Sequence, residues 1–253
     1  MDFGLLALLG MAALLAGFVD AVAGGGGMIQ VPALLGVFPS ESPATLFGTN
    51  KGASVFGSAS AAWRYGLRIS IPWTQVVIPT TFAALFAGYG GAAAVSWLPV
   101  SILRPLVLGL LLGVFAYTVA KPDFGRAHGT MPRRPLRRAL LIGGGIGFYD
   151  GFFGPGTGSF LIFAFIRGFG LDFLRASVCA KVVNVATNIA ALSFFIPHGR
   201  IIWIAAASMA VCNVVGALLG SRMALRHGPV FVRAVFLLVT ALLIAKVGFD
   251  TLG

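Results

Sequence analysis

Eight long apolar segments take up almost the whole of this chain, and each has about the length that crosses a lipid bilayer. A transmembrane helix needs roughly 20 apolar residues to cross the hydrocarbon. Only 10% of the residues are charged and the mean hydropathy is +0.96, whereas charged residues make up about 25% of a soluble domain. The sequence therefore predicts an all-α integral membrane protein with about eight transmembrane helices. The predicted spans are residues 3–23, 44–63, 72–95, 101–120, 138–153, 174–196, 201–221 and 229–248.

The net charge of +11 indicates membrane topology rather than a nucleic-acid partner. The arginines concentrate between the apolar segments, and short loops rich in Lys and Arg stay in the cytoplasm. The linker from Lys121 to Arg138 is thus predicted to be cytoplasmic, and four spans on each side of it would place both termini there too. The loop arginines are Arg64, Arg68, Arg126, Arg133, Arg134, Arg137, Arg138, Arg222 and Arg226.

The chain matches itself without a gap when it is shifted by 130 residues (150−20 and 181−51). The matching pairs are Gly17 with Gly147, Phe18 with Phe148, Asp20 with Asp150, Gly24 with Gly154, Gly26 with Gly156, Lys51 with Lys181, Ile71 with Ile201, Trp73 with Trp203 and Gly90 with Gly220. We therefore predict two homologous four-helix repeats, residues 1–123 and 138–253, joined by a basic cytoplasmic linker of residues 124–137. Duplicated transporters bind substrate near the membrane midplane, where the repeats meet. Parallel and inverted repeats both stay open, although basic loops at matching positions favour the parallel arrangement.

Each predicted repeat carries one aspartate and one lysine in apolar sequence, 31 residues apart (51−20 and 181−150). A charge at the bilayer centre costs at least ~2.5 to 3.5 kcal/mol, so a buried lysine is first a functional hypothesis. The alternatives for Lys51 and Lys181 are snorkelling to the interface and pairing with the nearby aspartate. We interpret Asp20 and Asp150 as their counter-ions, with proton carriage and capping of the glycine loops as alternatives. Pairing lets an anionic substrate compete for the lysine, which would link its binding to proton movement.

Two glycine-rich runs interrupt the apolar segments, Gly24–Gly27 and Gly154–Ser159. Four consecutive glycines form a poor helix and Pro155 lacks an N–H, so both helices are predicted to break here. Non-helical backbone at membrane depth occurs only where it is buried in protein or lines a wet cavity. The helix that restarts after each break offers free N–H groups and a positive dipole end to an anion. Close helix packing is the alternative, but the matching positions in the two repeats favour a binding site.

Neutral polar residues accompany each lysine. Lys181, Asn184 and Asn188 share one helix face because positions three and four apart stack, and Lys51 and Ser54 do likewise. One ammonium with a row of neutral donors suits an oxyanion, and Thr157 and Ser159 are predicted to add hydroxyl donors. The predicted substrate-binding residues are Gly24, Gly25, Gly26, Gly27, Thr49, Asn50, Lys51, Ser54, Gly154, Gly156, Thr157, Gly158, Ser159, Lys181, Asn184 and Asn188, with Asp20 and Asp150 as coupling or counter-ion residues.

The remaining polar residues do not indicate an enzyme. His128, His198 and His227 are scattered through loops and make no metal site by spacing. No Gly-Lys-Ser or Gly-Lys-Thr follows the glycine runs, and no nucleophile lies beside a base. We therefore predict no catalytic residues, no metal and no cofactor.

Four runs of the sequence carry a family resemblance. They are A-G-F-V-D-A-V-A-G-G-G-G at residues 16–27, G-T-N-K at 48–51, G-I-G-F-Y-D-G-F-F-G-P-G-T-G-S-F at 145–160 and A-K-V-V-N-V-A-T-N at 180–188. They resemble the sulfite exporter TauE/SafE family, also called TSUP, of bacterial inner-membrane permeases, and most of all its YfcA-like subgroup of membrane transporter proteins. The resemblance implies a multi-pass permease of about eight helices that moves small sulfur-containing anions such as sulfite, sulfoacetate or other organosulfonates.

The function predicted from the residues and the resemblance together is secondary transport of a small oxyanion by alternating access, with export as the expected direction. The expected partners are the anionic substrate, the lipid bilayer and a coupling proton or cation; a homo-oligomer stays open, and nucleic acid is not expected. The alternatives are an anion channel or a permease for small carboxylates, and, from another class, a membrane scaffold. A scaffold would leave the paired lysines and the glycine runs unexplained.

Overall fold

The described part of the chain is helical and contains no β-strand. The computed structural model describes residues 3–95, 112–113, 115–116, 118–120 and 131–252. The first helices in chain order are α1 (Phe3–Ala23), α2 (Gly27–Val37), α3 (Pro43–Gly66) and α4 (Trp73–Ala94), which opens with a π-helical turn over Trp73–Val77. They are followed by α5 (Pro135–Phe152), α6 (Thr157–Phe169), α7 (Phe173–Phe195) and α8 (Trp203–Leu252).

Four stretches of these helices are long and apolar enough to cross a membrane. They are Gly4–Ala23, Trp73–Ala94, Phe173–Phe195 and Trp203–Leu242. The predicted spans 44–63 and 138–153 are helical too, as α3 and α5, but polar residues along α3 and the charges of α5 lower their hydropathy. The predicted span 101–120, and the part of the linker up to residue 130, lie mostly outside the described residues. The total of eight transmembrane helices therefore stays a prediction.

Helices α2 and α6 are short. With 11 and 13 residues they rise roughly 16 to 20 Å at 1.5 Å per residue, less than the ~30 Å of hydrocarbon. Each is thus too short to cross the hydrocarbon alone and restarts after a break, which is the arrangement that the glycine runs predict.

Helix α8 contains a break that separates the last two predicted spans, 201–221 and 229–248. Gly228 has non-helical torsions (φ 71°, ψ −166°) and is followed by Pro229. Proline cannot continue the hydrogen-bond ladder of the preceding turn, and only glycine adopts this backbone region readily. Beyond the break, Phe236 packs edge-on against Phe173 of α7, with ring centroids 5.3 Å apart. Helix α8 therefore consists of two helical segments that join directly at Gly228.

Glycines bring the backbones of the packed helices together. Helix α1 packs on α8, and α4 packs on α5. A Cβ atom on Gly147 would come within 2.6 Å of the Ala84 Cα atom, and one on Gly220 within 2.5 Å of the Phe18 carbonyl oxygen. Small residues of this kind allow close van der Waals packing between helices. Such packing is important in lipid because burial of apolar side chains there provides little driving force for helix association. The Gly143, Gly147 and Gly151 series of α5 has this packing role against α4.

The helix starts of the two halves correspond. Helices α2 and α6 begin at 27 and 157, α3 and α7 at 43 and 173, and α4 and α8 at 73 and 203, each pair 130 residues apart. The N-caps correspond as well: the Ser42 side chain accepts a hydrogen bond from the Thr45 N–H at 3.2 Å, and Asp172 accepts one from Arg175 at 2.8 Å. An N-cap oxygen satisfies one of the free N–H groups of the first turn, which is why the helices begin there.

Candidate functional site

The two helix breaks form the centre of the candidate site. Helix α1 ends at Ala23 and α2 begins at Gly27; α5 ends at Phe152 and α6 begins at Thr157. Gly24 has φ +75°, and Gly154 and Gly156 both have φ +87°. Residues with a Cβ adopt these values only at a cost, so glycine is what allows the chain to turn here.

The breaks are in direct contact with each other. The Ser159 N–H donates to the Gly24 carbonyl oxygen at 2.7 Å, and the Ser159 hydroxyl lies 2.9 Å from the Ala23 carbonyl oxygen and 2.8 Å from that of Gly24. A Cβ atom on Gly24 would collide with the backbone of Gly158. The first turns of α2 and α6 are consequently held side by side, and the positive ends of both helix dipoles lie in the same region.

Two tyrosines support the backbone around the breaks. The Tyr65 hydroxyl donates to the Ala21 carbonyl oxygen at 2.9 Å, and the Tyr149 hydroxyl donates to that of Pro155 at 2.6 Å. Carbonyls next to a helix break lack their helical partner, and a buried carbonyl without one is costly. The tyrosines therefore stabilise the irregular backbone, a role that we did not predict from the sequence.

Each buried lysine pairs with the aspartate of the other half of the chain. Lys51 Nζ lies 2.7 Å from Asp150 Oδ1, and Lys181 Nζ lies 2.7 Å from Asp20 Oδ2. Lys51 is 3% exposed and Lys181 is 0% exposed, so neither snorkels to the interface. The 31-residue spacing suggested a partner within the same half, whereas the structure exchanges the partners between halves.

The two ion pairs have different surroundings. Asp20 Oδ2 also accepts a hydrogen bond from the Ser58 hydroxyl at 3.1 Å. Asp150 Oδ2 is buried and has no hydrogen-bond partner among the described residues, and the same is true of Asn188 Nδ2. Asn188 is the counterpart of Ser58 at the 130-residue offset (188−58). Asp20 Oδ2 thus has two donors, whereas Asp150 Oδ2 is buried and has none among the described residues.

A cavity of about 20 Å³ lies between the breaks and the ion pairs. This volume holds about one water molecule, since a water needs at least ~10 to 15 Å³ on the same measure. The lining residues are Asp20, Gly24, Gly25, Gly26, Gly27, Asn50, Lys51, Ser54, Asp150, Gly154, Gly156, Thr157, Gly158, Asn184 and Asn188. All of them are among the residues singled out from the sequence, so the fold brings most of that set to one place.

Three of the residues singled out from the sequence do not line the cavity. The Thr49 hydroxyl donates to the Thr45 carbonyl oxygen at 2.7 Å and accepts the Ile202 N–H at 3.0 Å. Ser159 joins the two breaks, and Lys181 pairs with Asp20, which does line the cavity. Of these, Thr49 has a structural role where α8 begins.

The hydroxyls of Thr157 and Ser159 are not free donors in this conformation. The Thr157 hydroxyl donates to the Gly154 carbonyl oxygen at 2.7 Å, and that of Ser159 is taken by the carbonyls of the other break. Carbonyls of the broken turns accept these hydroxyls here, and donation from Thr157 and Ser159 to a substrate stays a prediction.

Gln30 and Ser58 are polar residues near the cavity that the sequence analysis did not select. The Gln30 Oε1 atom accepts the Ser54 hydroxyl at 3.2 Å, and its buried Nε2 has no partner among the described residues. Two sequence features could have identified them. Gln30 is the single glutamine in the apolar α2, and Ser58 lies seven residues after Lys51 (58−51).

The arrangement suits reversible binding of a small charged solute. Two ammonium and two carboxylate groups sum to zero charge, and a buried pair left without one partner is disfavoured by about 3 to 5 kcal/mol. An anion that enters must therefore replace a carboxylate at a lysine or bind beside the intact pairs. Within the described residues, no group of three or more His, Cys, Asp or Glu lies close enough to hold a metal ion.

Comparison with known proteins places this sequence in a family. The family model described as "Sulfite exporter TauE/SafE" matches residues 9–247. "Probable membrane transporter protein YfcA" of Escherichia coli strain K12 is 36% identical over 251 residues, 98% of this chain and 91% of the relative. "Probable membrane transporter protein ORF9" of Sinorhizobium sp. is 33% identical over 248 residues, 98% of this chain and 94% of the relative. A "Probable membrane transporter protein" of Haemophilus influenzae is 31% identical over 252 residues, 99% of this chain and 98% of the relative. No solved structure matches the chain significantly.

Proposed function

Because the chain belongs to the sulfite exporter TauE/SafE family, we propose that it is a secondary transporter that exports small sulfur-containing oxyanions, such as sulfite or an organosulfonate, by alternating access. The protein is a multi-pass inner-membrane transporter and not an enzyme. The substrate class and the mechanism are the proposal. The observation that carries it is the buried Lys51–Asp150 pair at a cavity between two broken helices.

The proposal includes two homologous repeats. Equivalent helices begin 130 residues apart, and the two ion pairs interchange under the same shift, since Lys51–Asp150 becomes Lys181–Asp20. The helix pairs α1–α8 and α4–α5 interchange as well. These regularities support an arrangement in which the repeats face each other across the cavity, where duplicated transporters bind their substrates.

The size of the cavity supports alternating access rather than an open pore. Sulfite has three oxygens around sulfur, and a space of about 20 Å³ holds about one water molecule. The site must therefore widen to admit the substrate, and the contact between Gly24 and Ser159 is where the two halves would separate. In the conformation described, the space beside the ion pairs is too small for sulfite.

The ion pairs supply a means of coupling. Asp150 occupies the Lys51 ammonium at 2.7 Å, so an anion gains that ammonium when the carboxylate is protonated or moves away. The first turns of α2 and α6 add backbone N–H groups and dipole ends for the oxyanion. Binding of the anion would in this way be linked to a proton, and an ion gradient would drive export.

Flux of sulfite in proteoliposomes tests the proposal. We expect saturable sulfite transport that responds to an imposed pH gradient in the wild-type protein. Lys51→Ala should abolish it. Arg175→Ala is the matched control, because its side chain is 53% exposed and pairs at 3.6 Å with a helix-capping aspartate; it should retain flux.

Three results would contradict the proposal. If the Lys51→Ala variant inserts in the membrane like the wild type and keeps wild-type flux, Lys51 does not take part in substrate binding. Flux that rises linearly with concentration would indicate a channel instead. Acetate that competes as well as sulfite would indicate a carboxylate permease.

A further inference from the structure

A difference between the two carboxylates points to the form of the substrate that the site accepts once the two halves have separated. Asp20 Oδ2 is engaged by both Lys181, at 2.7 Å, and the Ser58 hydroxyl, at 3.1 Å. Asp150 uses Oδ1 for Lys51, and its Oδ2 has no partner among the described residues. Asp150 is 1% exposed. A buried carboxylate oxygen without a hydrogen bond is costly, so it favours a ligand that donates one.

A free donor lies on the wall of the same cavity. Asn188 Nδ2 is buried and unpartnered in the described part of the chain, and Asn188 is 1% exposed. It belongs to the cavity lining together with Asp150 and Lys51. Among the described residues that line the cavity, the buried atoms without a partner are thus one acceptor and one donor. A ligand that satisfies both must accept a hydrogen bond and donate one.

The charge of the site supports the same conclusion independently. Lys51, Lys181, Asp20 and Asp150 sum to zero charge, and all four lie in the two buried pairs. Every further charge brought into such a cluster must be stabilised by neutral donors and helix dipoles alone, and the cost of removing an ion from water rises with its charge. A monoanion is therefore favoured over a dianion.

We propose that the site selects an oxyanion that carries one proton, such as hydrogen sulfite, whose O–H donates to Asp150 Oδ2 while another of its oxygens accepts from Asn188 Nδ2. This rests on the proposed function and deepens it. The proton then crosses with the anion. A deprotonated dianion leaves Asp150 Oδ2 without a donor and brings a second negative charge next to it.

A matched pair of ligands tests the proposed preference for an oxyanion that carries one proton. Hydrogen sulfite and methanesulfinate are both monoanions with a pyramidal sulfur, and in methanesulfinate a methyl group replaces the hydroxyl. Thermal-shift titration of the purified wild-type protein in detergent should show methanesulfinate binding on the order of tenfold more weakly, because it leaves a buried carboxylate oxygen unpaired. The affinity for total sulfite should fall with rising pH in proportion to the hydrogen sulfite that remains, whereas the affinity for methanesulfinate should not.

Two variants assign the effect to one carboxylate. Asp150→Asn replaces the free acceptor with an amide that offers a donor, so the preference for hydrogen sulfite should disappear or reverse. Asp20→Asn is the comparison from the other half of the chain, and it should change the preference less, because Asp20 Oδ2 already accepts from Lys181 and Ser58 and Asp20 has no buried oxygen without a partner among the described residues. If a variant fails to fold, the comparison of the two ligands on the wild-type protein and its pH dependence still test the preference for a protonated oxyanion.

The outcomes separate this inference from the proposed function. Equal affinity for the two ligands, or tighter binding of total sulfite as pH rises, would overturn the inference and leave sulfite transport standing. Loss of the preference in Asp20→Asn but not in Asp150→Asn would overturn the assignment to Asp150. Absence of both binding and flux for any sulfur oxyanion would overturn the proposed function, and the inference with it.

Discussion

The Lys51 ammonium lies 2.7 Å from the carboxylate of Asp150, a residue 99 positions further along the chain (150−51). Its counterpart, Lys181, forms the equivalent contact with Asp20, 161 positions away. Together the two pairs tie α3 to α5 and α7 to α1. Separation of the two halves therefore changes the surroundings of both lysines at once.

A double-mutant cycle should detect this exchange of partners. Lys51→Ala alone leaves the Asp150 carboxylate buried and unpaired, and we expect a loss of about 3 to 5 kcal/mol of stability. Removing both Lys51 and Asp150 should restore part of it, which corresponds to a coupling energy of roughly 0.5 to 3 kcal/mol. The measurement is unfolding of the purified protein in detergent micelles. The control cycle combines Lys51→Ala with Asp20→Ala, and a larger coupling there would contradict the observed pairing.

Gly24→Ala should destabilise the protein strongly. Gly24 has φ +75°, and an added Cβ would collide with the Gly158 backbone. We expect a loss of at least about 1 to 3 kcal/mol, measured by thermal unfolding in detergent. Gly36→Ala is the control, because a Cβ at Gly36 meets nothing within 4 Å, and it should be neutral or slightly stabilising. Equal effects of the two substitutions would argue against contact between the breaks.

Ser159→Ala tests the hydrogen bonds that join the two breaks. Its hydroxyl lies 2.9 Å and 2.8 Å from two carbonyl oxygens of the first break, and losing it should cost about 1 kcal/mol or somewhat more. Because this contact holds the two breaks together, the Ser159→Ala variant should also expose them more often, which would be measured as increased hydrogen exchange at Gly24 and Gly25. Ser60→Ala is the matched control, since that hydroxyl bonds only within α3 and is exposed. Unchanged exchange in Ser159→Ala would rule out this role.

Gly228→Ala tests the break in α8. Gly228 has φ 71° and ψ −166°, and a Cβ there meets no atom within 4 Å. Any loss of stability therefore comes from backbone strain rather than from a collision, and we expect about 1 to 3 kcal/mol. A substitution without thermal effect would mean that the segments before and after residue 228 form one continuous helix.

Local chemistry accounts for the features that could be read from the sequence. The glycine runs predict the breaks because a helix interior disfavours consecutive glycines and positive φ excludes most other residues. The lengths of apolar sequence predict helices that cross the bilayer because the hydrocarbon has a set thickness. The 130-residue offset anticipates the positions of the helix starts, down to the capping pair Ser42 and Asp172. Each of these depends on residues close together in the chain.

Long-range packing decided what the sequence left open. Which aspartate meets which lysine depends on how α1, α3, α5 and α7 lie against one another, and no local pattern encodes an approach between residues 99 or 161 positions apart. The same holds for Thr157 and Ser159, whose hydroxyls met carbonyls of the broken turns instead of remaining free. The Asp150 oxygen that is buried without a partner is another consequence of packing, because Ser58 donates to Asp20 whereas its counterpart Asn188 makes no such hydrogen bond to Asp150. Partners of buried charges are set by three-dimensional contact, and so they emerge only once the helices are assembled.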